Sequence, residues 1–201
     1  MYIEPKIESS YYCNNKGKKD ITPHYYPKIG KTLYDYVIDT KPKIILEFGV
    51  LHGFSICCMS QAIKKNKQGK IYAYDLWENE KFNHGQRLLK VQETLKKYNL
   101  TNFVDLQYGD IFTCLKTIDL YNVDVIHIDI NNDGNKLLKI IDLLKLRKYK
   151  GDVLFEGGTL ERDNCWWMVQ FNKKPINSIK PVQNFSLLNT NYPGLAKINI
   201  K

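Results

Sequence analysis

Arginine is scarce in this 201-residue chain: of its 30 basic residues, only Arg87, Arg147 and Arg162 are not lysine. Arginine is the side chain that forks onto phosphates and base edges. The net charge of +9 is therefore a lysine charge, spread along the whole sequence, and a solvated surface accounts for it better than a nucleic-acid site. Long apolar runs are missing too. No stretch reaches the roughly 18 residues of a membrane span, and the N-terminal "MYIEPKIESSYYCNNKGKKD" lacks the apolar core of a secretory signal. The five cysteines, Cys13, Cys57, Cys58, Cys114 and Cys165, form no Cys-x-x-Cys pair. An odd set of scattered thiols argues against a disulfide framework or a zinc site and fits a reducing, cytoplasmic setting. There is no internal repeat and no Pro/Gly/Ser-rich linker.

With 43% apolar and 12% aromatic residues, the chain has enough for one globular domain with a real core. Residues 1–29 are polar and aromatic without a clear period and read as an N-terminal extension or lid; residues 30–201 read as the domain itself. Tyr11, Tyr12, Tyr25 and Tyr26 in the extension suit either a lid over an acceptor or a contact in a homo-oligomer. After a short helix over "KTLYDYVIDT", strand-like and helix-like segments alternate. The strands are "KIILEFG", "KIYAYDLW", "FVDLQYGD", "VDVIHIDI" and "GDVLFEGG". The helices are "FSICCMSQAIKKNK", "GQRLLKVQETLKKYNL", "IFTCLKTID" and "NKLLKIIDLLKLRKY", with a further one over "NCWWMVQFNKK". Near the C-terminus "FSLLNT" and "LAKINIK" flank a Pro-Gly turn and so form an antiparallel hairpin. This pattern predicts an α/β, doubly wound, Rossmann-like sheet, mostly parallel with a C-terminal antiparallel hairpin. In such sheets ligands bind beyond the carboxyl ends of the strands.

The residues at those ends carry the candidate chemistry. Gly49 and Gly53 lie where the first strand turns into its helix, and glycine lets a ligand approach the backbone there. The spacing is not the G-x-G-x-x-G of a dinucleotide fingerprint, and no P-loop lysine follows. Glu47 puts a carboxylate beside the turn, which suits a cationic group better than a pyrophosphate. Asp75 ends the second strand, where a carboxylate can accept both hydroxyls of a ribose. Asp110 follows the third strand and could accept an adenine amino group.

"ILEFGVLHGFS", "IYAYDLW", "LQYGDI" and "IHIDINND" resemble, in order and spacing, the motifs of class I S-adenosylmethionine-dependent methyltransferases. The E-x-G-x-x-x-G-x-S form is closest to the small O-methyltransferases of the macrocin O-methyltransferase and cephalosporin-hydroxylase-like group. The resemblance implies S-adenosylmethionine as cofactor. Glu47, Gly49 and Gly53 would hold its amino acid end, Asp75 its ribose and Asp110 its adenine.

It also implies that Asp129 and Glu156, after the fourth and fifth strands, serve the acceptor. Two roles stay open for them. They can act as base or orienting group, or they can join Asp133 around a magnesium ion, since hard oxygen ligands suit it. Glu156 followed by Gly157 and Gly158 departs from the paired acidic residues of metal-dependent relatives. Amino-methylating members of the resembled class usually carry an Asn/Asp-Pro-Pro-Tyr/Phe sequence after the fourth strand; none is present, so the resemblance implies a hydroxyl on a small molecule or glycan as acceptor, ahead of nucleic acid. A silent, cofactor-binding partner protein is the alternative. Asp133-Gly134 reads first as a turn. His52 sits in the glycine turn, His84 in a loop, and His127 on the strand of Asp129 as a core residue. Cys57 and Cys58 read as small core residues, and at least one of Trp166 and Trp167 as packing against the sheet.

Overall fold

The computed structural model describes residues 1–7, 12–13, 19–20, 27–77, 87–130, 132–179 and 185–201. Two short strands, β1 (Tyr12–Cys13) and β2 (Lys19–Asp20), pair antiparallel ahead of the main domain. Then come α1 (Pro27–Thr40), β3 (Ile44–Phe48), α2 (Phe54–Asn66), β4 (Lys70–Asp75), α3 (Arg87–Lys97), β5 (Val104–Tyr108) and α4 (Ile111–Thr117). They are followed by β6 (Val125–Ile128), α5 (Gly134–Leu146), β7 (Gly151–Glu156), α6 (Leu160–Asp163), α7 (Trp166–Gln170), β8 (Ser186–Asn189) and β9 (Leu195–Ile200).

Seven strands form one sheet in the order β5-β4-β3-β6-β7-β9-β8. The first five are mutually parallel; β9 runs antiparallel to β7, and β8 antiparallel to β9. The central strands are buried on both faces, so their sequences read as nearly continuous apolar runs. Alternate side chains divide between two cores. Ile45, Ile71, Ala73, Val125 and Leu154 join α1, α2 and α3 on one face. Leu46, Phe48, Ile126, Ile128, Val153 and Phe155 join α4 and α5 on the other.

Helix α1 starts four residues ahead of the expected segment, at Pro27, because proline is favoured in a first turn where no N–H partner is needed. Within the first seven residues, Tyr2 and Ile7 pack against the core shared with α2, while Met1 and Ile3 stay exposed. Ile3 N donates to Gln61 Oε1 at 2.9 Å, Gln61 Nε2 returns a bond to Ile3 O at 2.8 Å, and Ile7 is buried. In α7 it is Met168, not either tryptophan, that packs into the interior; Trp166 is 50% exposed. Cys57 and Cys58 are fully buried, and burial pushes the Cys57 thiol up to about 12, so both are inert packing residues.

Candidate active site

The sheet register lines up the carboxyl-end residues. The last parallel pairs are Phe48↔Tyr74, Phe48↔Ile128 and Ile128↔Phe155, and Asp75 ends β4 opposite Tyr108. One step further, Asp75, Gly49, Asp129 and Glu156 stand side by side along the edge. The strand order reverses direction between β3 and β6, so Gly49 and Asp129 flank the switch point, where α/β sheets bind ligands.

Gly49 has φ +88, and a Cβ there would overlap the Asp129 carbonyl oxygen, with the carbonyl carbon at 2.7 Å. Its lack of a side chain is thus required first by the neighbouring strand. Gly53, at φ +82, stands just before α2, and a Cβ there would press on Val91 of α3 at 3.1 Å. Between them Leu51 also adopts a left-handed conformation. The turn is held by Asp75. Its Oδ2 accepts from Val50 N at 2.8 Å and Leu51 N at 3.0 Å, while Oδ1 accepts from Trp77 N at 3.0 Å. Arg87 approaches Oδ1 to 3.9 Å. A carboxylate offers about four lone-pair sites, and three are in use. Asp75 is therefore a nearly buried anchor and not a surface strand end.

Glu47 is fully buried, and register places it opposite His127. One oxygen accepts from Ser55 Oγ; Oε2 lies 3.5 Å from His127 Nδ1 and takes no hydrogen bond among the described residues. His127 is a buried residue, as expected, and its ring faces this carboxylate.

Asp129 and Glu156 are hydrogen-bonded carboxyl neighbours, and burial together with the Glu156 charge raises the Asp129 carboxyl well above the usual range. Two adjacent carboxyls share a proton more readily than they both ionise. Glu156 Oε1 also accepts from Arg162 Nε at 2.9 Å. Asn132 lies beneath, donating to Ile128 O at 2.9 Å and Glu156 O at 3.1 Å, and so ties β6 to β7.

Two expected site residues are occupied locally. Asp110 Oδ1 caps α4, accepting from Phe112 N at 3.0 Å and Thr113 N at 3.1 Å. Asp133 Oδ1 caps α5, accepting from Asn135 N at 2.9 Å and Lys136 N at 3.0 Å, so where the sequence suggested a turn at Asp133-Gly134 the structure has a helix start with Gly134 as its first residue. With Asp133 capping and Glu156 on a guanidinium, the three carboxylates do not form a magnesium cage, and no group of three or more metal-ligating side chains forms among the described residues. His84, Asn131, and Tyr11, Tyr25 and Tyr26 lie outside the described residues, as does the side chain of Tyr12.

A family model described as a methyltransferase domain matches residues 46–157. The chain belongs to this methyltransferase-domain family. The matched span opens at β3 and closes just past Glu156, so it contains the whole register row. No curated protein sequence matches the chain. Solved structures of similar fold include the SAH-bound methyltransferase PaMTH1 of Podospora anserina. It is 18% identical, with TM-score 0.61 over 86% of this chain and 78% of that one. The SAM complex of the O-methyltransferase TomG of Streptomyces achromogenes, involved in tomaymycin synthesis, is 15% identical, with TM-score 0.61 over 87% and 81%. The SAH complex of an O-methyltransferase of Bacillus cereus is 15% identical, with TM-score 0.60 over 90% and 83%. At these identities the likeness shows the fold. The methyltransferase domain has the class I sheet, mostly parallel with its antiparallel C-terminal hairpin. None of its described helices is long and apolar enough to cross a membrane.

Proposed function

We propose that this methyltransferase domain takes its methyl group from S-adenosylmethionine and places it on a hydroxyl of a small-molecule acceptor. The observation that carries the reading is the register row. It brings Asp75 and the glycine turn, which this reading takes as the donor half, beside Asp129 and Glu156, which it takes as the acceptor half, across the Gly49–Asp129 contact at the switch point.

The residues present fit the donor. Glu47 Oε2, buried and without a hydrogen bond among the described residues, suits an ammonium group. Gly49 and Gly53 keep the turn's backbone open to the methionine end. Asp75 would hold the ribose hydroxyls. Because three of its lone-pair sites already serve backbone N–H groups, holding two hydroxyls requires releasing at least one of them, so donor binding loosens the turn from Asp75. Asp110 would meet the adenine only with the lone pairs its capping bonds leave over. When bound, the donor supplies a methyl group activated on a sulfonium sulfur.

On the acceptor side, Asp129 is half-buried while Glu156 and Arg162 lie behind it. Asp129 is thus the group an acceptor hydroxyl meets, and with Glu156 it can orient the hydroxyl and take its proton. The four N-terminal tyrosines remain candidates for either a lid or a homo-oligomer contact, within an extension over 1–29 ahead of a domain over 30–201.

Calorimetric titration with S-adenosylmethionine and S-adenosylhomocysteine tests the donor half. The reading requires saturable binding of both at one site per chain; absence of heat at millimolar ligand would remove it. Transfer of labelled methyl to hydroxylated small molecules, with glycans and nucleic acid as comparison acceptors, tests the acceptor half.

A further inference from the structure

Arg162 is one of only three arginines in the chain and is 4% exposed. Its place is fixed with unusual care for a helix as short as α6. Thr159 caps that helix, accepting from Arg162 N at 3.2 Å. The next residue, Asp163, is buried and accepts from Ile176 N and Asn177 N, each at 2.7 Å, and from Asn177 Nδ2 at 2.8 Å. The turn carrying Arg162 is therefore pinned from both sides. The guanidinium itself stacks 4.6 Å from the centre of the Trp167 ring, approaches Cys165 Sγ at 3.6 Å, and donates Nε to Glu156 at 2.9 Å.

Burying a cation costs several kcal/mol unless it is paired and hydrogen-bonded. A guanidinium keeps its proton under all ordinary conditions, so the charge at this position is permanent. The carboxyls of Glu156 and Asp129 are the acids it serves, the first directly and the second through the hydrogen bond between them. Two neighbouring carboxyls at strand ends form a hard-oxygen pair of the kind that takes magnesium or manganese. Here the pair is already compensated from within the chain.

We propose that Arg162 is the built-in cation of the acceptor end: its guanidinium takes the charge-compensating place beside Glu156 and Asp129, and it denies that pair a divalent ion. The proposal rests on the reading of these carboxyls as the acceptor end. Arg162 acts through Glu156 and is a positioning residue, not a catalytic one.

The test uses manganese alone as probe, with the full chain near pH 7.5, following free manganese by electron paramagnetic resonance. Arg162→Gln and the shape-conserving Arg162→Met remove the charge; Arg162→Lys keeps it. The expected result is that the parent and Arg162→Lys bind no manganese at this pair. Arg162→Gln or Arg162→Met gains one site, at least about tenfold tighter than any residual binding to the parent. Adding Asp129→Asn to the charge-removing variant abolishes the gain, which locates the site. Circular dichroism identifies which variants are folded. Two results would overturn the proposal: manganese binding by the parent that Asp129→Asn removes, or a folded charge-free variant that gains no site. Neither touches donor binding, so failure here is distinct from failure of the methyltransferase reading.

Discussion

At the carboxyl ends of the strands stand Asp75, Asp129 and Glu156; at the amino ends stand Asp124 and Asp152, also on or beside the sheet. The partners differ. Asp124 Oδ2 accepts from Lys43 N at 2.6 Å and Ile44 N at 3.0 Å, fixing the start of β3. Asp152 gathers the hydroxyl of Tyr36, Asn199 Nδ2 at 2.7 Å and Lys197 Nζ at 3.4 Å. Although burial works against it, these donors hold its carboxyl below the usual range. Each amino-end carboxylate is satisfied by donors of the fold. At the other end, Asp129 leans on another acid and is pushed the opposite way. The lysine surplus follows the same division. Lys64 and Lys65, Lys96 and Lys97, Lys116 and Lys145 occupy the last turns of α2, α3, α4 and α5. There they complement the negative ends of the helix dipoles, so six of the 30 basic residues have a structural use. A cleft of about 280 Å³ between Ile44, Tyr72, Tyr74, Ile118 and Asn122 lies over the α4 face of the sheet and contains none of the candidate site residues. Acids placed against each other, at a stability cost, support the proposed working end.

Substitutions at matched glycines should give the largest effect. Gly49 and, at the amino end, Gly69 both have positive φ, and a Cβ at Gly69 would stand 2.7 Å from Pro42 O. Gly49→Ala and Gly69→Ala should each lower stability by roughly 1–3 kcal/mol or more, from a left-handed backbone that alanine resists and from the overlaps. Urea unfolding measures this. Only Gly49→Ala should also abolish S-adenosylmethionine binding. Equal loss of affinity in folded Gly69→Ala would erase the distinction between the ends.

A smaller effect sharpens the electrostatic half of the comparison. The Asp129 carboxyl is raised in the folded chain above its unfolded value near 3.9. Its contribution to stability is therefore full below about pH 4 and is lost as pH rises toward the folded value. Asp129→Asn, neutral throughout, escapes that loss. Relative to the parent it should gain melting temperature between pH 4 and pH 8, by about 2–4 °C for each kcal/mol relieved in a chain of this size. Asp152→Asn should behave oppositely, because its carboxylate is favoured when charged. Its loss relative to the parent should be full above the unfolded value near 3.9 and should shrink as pH falls below it through the lowered folded value. A melting-temperature difference for Asp129→Asn that is flat with pH would contradict the raised Asp129 carboxyl.

Much of the working end was legible in the sequence, because strand ends and glycine turns leave local marks. "ILEFGVLHGFS" and "IYAYDLW" placed Gly49, Gly53 and Asp75 at the edge where the structure has them. What sequence reading missed depends on register or on short elements. The contact of Glu47 with His127 and that of Asp129 with Glu156 come from strand pairing, which no local pattern reveals. Arg162 lies on a four-residue helix, too short to show a period, and its partner Glu156 is reached only through the Gly157-Gly158 reversal. The capping role of Asp110 did carry a signal: an aspartate directly before a helical segment is a favoured N-cap. The tryptophan pair misled because bulk suggests burial, whereas α7 turns the slimmer Met168 inward.

The most direct test of the account is the affinity for S-adenosylmethionine, by calorimetry, of Asp75→Ala beside Asp152→Ala. Both remove a carboxylate with several donors, so both should lose stability. Each charge-assisted bond to a donor hydroxyl contributes on the order of 1.5–3 kcal/mol. Asp75→Ala should accordingly weaken binding by roughly ten- to a thousandfold, and Asp75→Asn by less, since an amide oxygen still accepts. Asp152→Ala should leave affinity within about twofold of the parent. If Asp75→Ala stays within that same margin while folded, the donor does not bind at this end of the sheet, and the account fails.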